Sequence, residues 1–140
     1  MIQVSLAILY REGRFLFQLR DNIPGIVHPG VWGLFGGHLE PEETPELCLK
    51  RELIEEIGYQ VSDLILFNHY ADSLVNRSVF YAPLTVDLSE LVLNEGWDMG
   101  LLTPEDIQAG ECYSEKAGMV RSLGNLHQRI LLEFIAQKLI

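Results

Sequence analysis

The stretch GGHLEPEETPELCLKRELIEEIGY, residues 36–59, joins a pair of glycines to a segment in which apolar residues recur with helical spacing. Thr44 is a suitable helix cap, Pro45 suits the first helical position, and Gly58 suits the end of a helix. The stretch therefore predicts a turn at the glycine pair, followed by a helix that ends at Gly58.

Three glutamates share one edge of this predicted helix. A helix advances about 100° per residue, so Glu55 and Glu56 fall within about 60° of Glu52. Like charges at these spacings destabilise a helix by a few tenths of a kcal/mol per pair. The edge is either an ordinary solvated acidic face or an oxygen-rich site for a hard cation such as Mg²⁺. The glycine pair favours the second interpretation, because glycine leaves the backbone approachable.

The apolar residues of the same helix occupy the adjoining broad face: Leu47, Leu49, Leu53, Ile54 and Ile57. An apolar face of this width is typical of a helix that packs against a sheet. We therefore expect these side chains to pack on the sheet of the protein.

The spacing of these glycines and charged residues resembles the signature of the Nudix hydrolase family. That signature is a glycine, five residues, a glutamate, seven residues, Arg-Glu, an aliphatic residue, any residue, Glu-Glu, any residue, a glycine and an aliphatic residue. Its positions in this chain are Gly37, Glu43, Arg51, Glu52, Leu53, Glu55, Glu56, Gly58 and Tyr59. Only Tyr59 departs from the signature, at a position that packs and does no chemistry.

The resemblance implies an α/β (α+β) fold, a Nudix-type α/β/α sandwich around a mixed β-sheet. It also implies hydrolysis of a nucleoside diphosphate linked to another moiety, assisted by Mg²⁺ or Mn²⁺. By position, the metal ligands would be three glutamates and one backbone carbonyl: Glu52, Glu55, Glu56 and the carbonyl of Gly36. Glu43 and Arg51 would form a structural ion pair between the loop and the helix.

The reaction needs a base that takes a proton from the attacking water. Glu52, beside the implied metal, is the first candidate. Glu95, in the segment NEGWDMG, is the second, because some members of the family use a glutamate from a later loop. Asp98 and Asp72 are weaker alternatives, and Glu95 is equally well explained as a solvated loop residue.

Four residues outside the signature are candidates for substrate binding: Arg20, Trp32, Arg77 and Trp97. The arginines could hold phosphates through paired hydrogen bonds, and the tryptophans could stack on a base. Strand-end charges and core packing explain the same residues as well.

The composition restricts the partners of the chain. Ten lysines and arginines stand against 20 aspartates and glutamates in 140 residues, which gives a formal net charge of -10. Nucleic-acid polymers are therefore poor partners, whereas a small phosphorylated nucleotide can be bound through a metal cation. The length suits a single domain over residues 1–140. Two cysteines, no signal-peptide pattern and no membrane-spanning apolar run predict a cytoplasmic protein.

The rest of the chain predicts strands over 2–10, 14–20, 61–70 and 77–86, a loop over 21–30, and helices from Thr103 onwards and over 123–140. The last helix has more apolar residues than one packed face requires: Leu126, Ile130, Leu131, Phe134, Ile135 and Leu139. We therefore predict a homodimer through apolar surface. A deeply buried helix is the alternative explanation of the same pattern.

The sequence favours a metal-dependent hydrolase of a diphosphate linkage. It leaves the substrate open between a nucleoside triphosphate and a nucleotide sugar. The alternative is a nucleotide-sensing module that has kept the fold and lost turnover. Such a module is expected to lose acids of the signature, and all four glutamates are present here.

Overall fold

The computed structural model describes residues 1–25 and 29–140. The strands and helices of these residues are β1 (Ile2–Arg11), β2 (Arg14–Leu19), β3 (Trp32–Gly33), β4 (Phe35–His38), α1 (Pro45–Ile57), β5 (Ile65–Ala71), β6 (Val75–Pro83), β7 (Asp98–Leu102), α2 (Pro104–Ala109), β8 (Glu111–Ser114), β9 (Met119–Ser122) and α3 (Asn125–Ala136). They form two compact units. The first contains Met1–Tyr10 and Phe35–Asn94, and the second contains Arg11–Leu34 and Glu95–Ile140.

The first unit contains a mixed sheet with α1. In this sheet β1 is parallel to β6 and antiparallel to β4, and β5 is antiparallel to β6. Residues 5–9 of β1 are all buried, which is typical of a strand covered on both faces. The predicted mixed α/β (α+β) class is confirmed.

Helix α1 begins and ends where the sequence predicts. The hydroxyl of Thr44 accepts a hydrogen bond from the Leu47 N–H, and Gly58 ends the helix with φ of 64°. A buried serine of β1 fixes the start of the helix, because the Ser5 hydroxyl donates to the Pro45 carbonyl at 2.8 Å. The acidic helix is therefore attached directly to the mixed sheet.

The buried side of α1 is narrower than the predicted apolar face. Its members are Cys48, Leu49, Leu53, Glu56 and Ile57. The expectation was wrong for Leu47 and Ile54, whose exposed fractions are 57% and 53%. Leu47 and Ile54 are seven residues apart and therefore lie on the same side of the helix. That side is exposed, whereas Cys48 and Glu56 are buried.

The glycine pair does not form the predicted turn. Gly36 and Gly37 continue β4 and pair with Leu6 and Ser5 of β1. A Cβ on Gly36 would collide with the Ser5 carbonyl, so glycine here permits close strand approach instead of chain reversal.

The second unit contains antiparallel pairs of β2 with β3 and β7, a hairpin of β8 with β9, and the helices α2 and α3. Thr103 caps α2, as predicted. Helix α3 ends at Ala136, short of the predicted 140. Its residues Ile130, Leu131 and Phe134 are buried, and the ring of Phe134 meets Phe15 edge-on at 6.1 Å.

Other boundaries differ from the prediction by a few residues. The strand predicted over 61–70 is β5, which starts at Ile65, and the strand predicted over 77–86 is β6, which spans Val75–Pro83. The hairpin of β8 and β9 was not predicted. Part of the predicted loop over 21–30 lies outside the described residues. No helix of the described ranges is long and apolar enough to cross a membrane.

Candidate active site

Arg51 contacts several glutamates of the first unit. Its Nε and Nη2 groups donate to the two carboxylate oxygens of Glu43 at 2.8 and 2.9 Å. Its Nη2 group also donates to the His38 carbonyl at 3.2 Å. The pair between Glu43 and Arg51 thus joins the segment after β4 to α1, and it lowers the pKa of Glu43 to about 2.

The same guanidinium contacts two of the glutamates on the helix edge. Nη1 of Arg51 donates to Glu52 at 3.0 Å and to Glu55 at 3.3 Å. Arg51 therefore offsets part of the repulsion that the sequence pattern indicates. One guanidinium cannot neutralise the carboxylates of Glu43, Glu52, Glu55 and Glu56, so the edge keeps a net negative charge.

The backbone of β4 lies directly against Glu52. A Cβ on Gly37 would collide with the Glu52 carboxyl group. The thiol of Cys48 donates to the Gly37 carbonyl at 3.5 Å, which holds strand and helix together at this point. The absence of a side chain at Gly37 therefore leaves the space beside β4 that the Glu52 carboxyl group occupies.

The three edge glutamates differ in exposure. The side chain of Glu55 is 58% exposed and that of Glu52 is 17% exposed, whereas Glu56 as a residue is only 5% exposed. Burying a carboxylate is costly unless its charge is compensated. A divalent cation at this edge would offset that cost.

The donor set fits a hard divalent cation by its chemistry, because all the side-chain donors are carboxylate oxygens. Within residues 1–25 and 29–140, however, no three His, Cys, Asp or Glu side chains stand together in a geometry that would hold a metal. Glu52 and Glu55 each direct one oxygen to Arg51, and a carboxylate has a second oxygen to offer a cation. Metal binding by Gly36, Glu52, Glu55 and Glu56 stays a prediction.

Tyr59, the one departure from the signature, is buried. Its hydroxyl lies 3.2 Å from the Pro83 carbonyl and 3.1 Å from the Thr85 hydroxyl. A tyrosine fits this position because its polar end has partners while its ring packs.

The last turn of α1 is bonded by Val92 and Asn94, which are not among the site residues predicted from the sequence. The Val92 N–H donates to the Ile57 carbonyl at 3.1 Å, and the Asn94 N–H donates to the Glu56 carbonyl at 2.9 Å. The side-chain amide of Asn94 donates to the Glu55 carbonyl at 2.9 Å. The only sequence signal was that Asn94 directly precedes the candidate base Glu95.

The candidate late acids have different surroundings. Glu95 is exposed and belongs to the second unit. The carboxylate of Asp98 accepts from the Ser114 hydroxyl at 2.7 Å. Asp72 closes the turn before β6 by accepting from two backbone N–H groups, which lowers its pKa. Structural bonds thus occupy Asp72 and Asp98, and Glu95 stays the candidate for a late base.

The four proposed substrate contacts have different surroundings. Trp32 is buried and its indole N–H donates to the Cys112 carbonyl at 3.0 Å, so core packing explains it and base stacking does not. Arg121 lies over the ring of Trp97 at 5.6 Å. Arg77 pairs with Asp72 at 3.3 Å. Arg20 is half-buried at the end of β2, and its role stays a prediction.

A mixed sheet with a glutamate-edged helix packed beside glycines is the arrangement that the resemblance predicts for a hydrolase of phosphoanhydride bonds. The family model described as NUDIX domain matches residues 1–121, and the chain belongs to this family. Nucleoside triphosphatase NudI of Escherichia coli (strain UMN026) is 35% identical, with 71% of this chain and 80% of that protein covered. The predicted enzyme class, a Nudix pyrophosphohydrolase, is thereby confirmed.

Solved structures share the fold. MutT protein from Methanosarcina mazei Go1 has a TM-score of 0.75 at 20% identity, with 99% of this chain and 96% of that chain covered. The NUDIX domain of Shewanella oneidensis NrtR, solved as a complex with ADP ribose, has a TM-score of 0.73 at 17% identity, with 100% of this chain and 89% of that chain covered. These likenesses confirm the predicted Nudix-type fold.

Proposed function

We propose that the chain is a divalent-metal-dependent pyrophosphohydrolase of nucleoside triphosphates. The observation that carries this proposal is the placement of Glu52 against the Gly37 backbone, on a helix edge that contains three of the four glutamates of the signature. The relative at 35% identity, a nucleoside triphosphatase by name, favours a triphosphate over a nucleotide sugar.

The proposed metal ligands are Glu52, Glu55, Glu56 and the Gly36 carbonyl. A divalent cation bound there, Mg²⁺ or Mn²⁺, would neutralise phosphate charge and acidify a water molecule. This requirement explains how a chain with a net charge of -10 binds a polyanionic substrate.

The protein itself supplies position and a proton acceptor. Arg51 holds one oxygen of Glu52 at 3.0 Å, which fixes the orientation of that carboxylate. Glu52 takes the proton of the attacking water. The water oxygen bonds to phosphorus and the bridging P–O bond breaks. The two products are pyrophosphate, the leaving group, and a nucleoside monophosphate.

A panel of nucleotides tests the proposal and identifies the substrate. Nucleoside triphosphates and nucleotide sugars would be incubated with Mg²⁺, with Mn²⁺ and with a chelator, and both products would be identified. We expect a nucleoside monophosphate and pyrophosphate from a triphosphate, and no turnover with the chelator. Cleavage of nucleotide sugars alone would refute the substrate class. Tight nucleotide binding without products would identify a sensing module instead.

A further inference from the structure

The last four backbone carbonyl groups of α1 all accept hydrogen bonds. The last four carbonyls of any helix lack partners within the helix. Here they accept from donors beyond the helix: Ile54 from the Gly58 N–H, Glu55 from the Asn94 side chain, Glu56 from the Asn94 N–H and Ile57 from the Val92 N–H. Asn94 alone therefore supplies two of the four bonds.

These two bonds are made at the backbone of Glu55 and Glu56. The carbonyl end of a helix carries a partial negative charge that disfavours acidic side chains. The last turn of α1 contains both glutamates and no basic residue. N–H donors at its carbonyls offset this unfavourable charge, and they also fix the backbone from which the two carboxylates extend.

We propose that Asn94 is a positioning residue that presets Glu55 and Glu56 for the divalent cation, an inference that rests on the proposed function. Asn94 bonds the peptide groups of the ligand residues and leaves their carboxylates available to the cation. Outer-sphere partners of this kind set the orientation of metal ligands. In the sequence Asn94 directly precedes Glu95, the candidate late base.

Substitution of Asn94 by alanine tests this role. Asn94→Ala removes the side-chain bond to Glu55 and keeps the backbone bond to Glu56. The matched control is Asn76→Ala, which removes an exposed amide bond of 3.0 Å to Gln3 in the same unit. Binding of Mn²⁺ alone would be measured by titration calorimetry, together with thermal stability, kcat and KM at limiting and saturating metal.

We expect Mn²⁺ binding to weaken by about 10-fold or more in Asn94→Ala and to stay unchanged in Asn76→Ala. Activity of Asn94→Ala should recover towards wild type as the metal concentration rises. A lower melting temperature with unchanged Mn²⁺ affinity would overturn the inference, because it would show a purely structural bond. If the wild-type chain itself failed to bind Mn²⁺, the proposed function would fall and this inference with it.

Discussion

Arg51 serves two roles at the level of single residues. It bonds Glu43 in paired geometry and also holds one oxygen each of Glu52 and Glu55. The sequence indicated an edge of mutually repelling carboxylates, either solvated or bound to a cation, whereas the structure shows partial compensation by this guanidinium. The remaining excess of carboxylates is what a divalent cation would balance.

The Glu43–Arg51 pair makes stability depend on pH. Hydrogen bonds from Arg51 and from the Glu40 N–H lower the pKa of Glu43 from 4.5 to about 2. A carboxyl group whose pKa is lower in the folded than in the unfolded protein stabilises the fold at pH values above its unfolded-state pKa. This stabilisation is lost as the pH falls through the folded-state pKa. Glu43→Gln should therefore lower the melting temperature at neutral pH, and this deficit should shrink between pH 4.5 and about 2.

Calorimetry across that pH range would measure the deficit. Glu46→Gln is the control, because it removes the same charge from an exposed position at the start of α1. We expect no comparable pH-dependent deficit in the control. A Glu43→Gln deficit that stayed constant down to the lowest pH would show that the ion pair does not contribute in this way.

The identity of the base is a second question at the residue scale. A positioned general base contributes about 10²- to 10⁴-fold to the rate. If Glu52 takes the proton, Glu52→Gln should lower kcat by about that factor at saturating metal, and Glu95→Gln should have a smaller effect. Steady-state kinetics of both variants would decide the order. A larger loss in Glu95→Gln would move the base to the later segment.

At the scale of elements, α1 gives a direct test of which face is buried. Leu53 is fully buried and Ile54 is 53% exposed. Leu53→Ala should cost about 2–5 kcal/mol of unfolding free energy, whereas Ile54→Ala should change it by about 0.5 kcal/mol or less. Urea unfolding of the two variants would measure both values. Equal losses would contradict the packing described here.

The sequence predicted α1 well because local chemistry sets its ends. Thr44 and Gly58 act through bonds within a few residues of themselves, which a sequence pattern can identify. Burial of Ile54 was predicted wrongly, because apolar periodicity does not reveal how wide a face the sheet covers. The role of Asn94 depends on contacts with residues 39 positions away, and no local pattern contains them.

Tertiary packing also explains the other differences between the predicted and the observed structure. Gly36 looked like a turn residue, yet its place beside Ser5 of β1 requires glycine in a strand. Packing was the preferred explanation of Trp32 over base stacking, and its burial and the bond of its indole N–H to the Cys112 carbonyl fit packing. The positions of the signature could be identified from the sequence, because their spacing along the chain is fixed.

Self-association is a prediction about the whole molecule. The structure buries Ile130, Leu131 and Phe134 of α3, so this helix offers less apolar surface than its sequence indicates. Of the apolar residues that the prediction names, Leu139 is exposed and Leu126 and Ile135 are half-buried. Light scattering at several protein and salt concentrations should give a dimer mass that high salt preserves. A monomer mass at high concentration and high salt would contradict the prediction.

Hydrolysis by this chain is proposed to depend on a cation held at the glutamate edge of α1. Glu56→Gln replaces a buried carboxyl group by an amide of nearly the same shape, while Glu46→Gln makes the same replacement at an exposed position of the same helix. The decisive measurement is the rate of nucleoside triphosphate hydrolysis by the two variants at limiting Mg²⁺. We expect Glu56→Gln to lose nearly all turnover while remaining folded, and Glu46→Gln to keep the wild-type rate. A near wild-type rate for Glu56→Gln would contradict a catalytic cation at this edge.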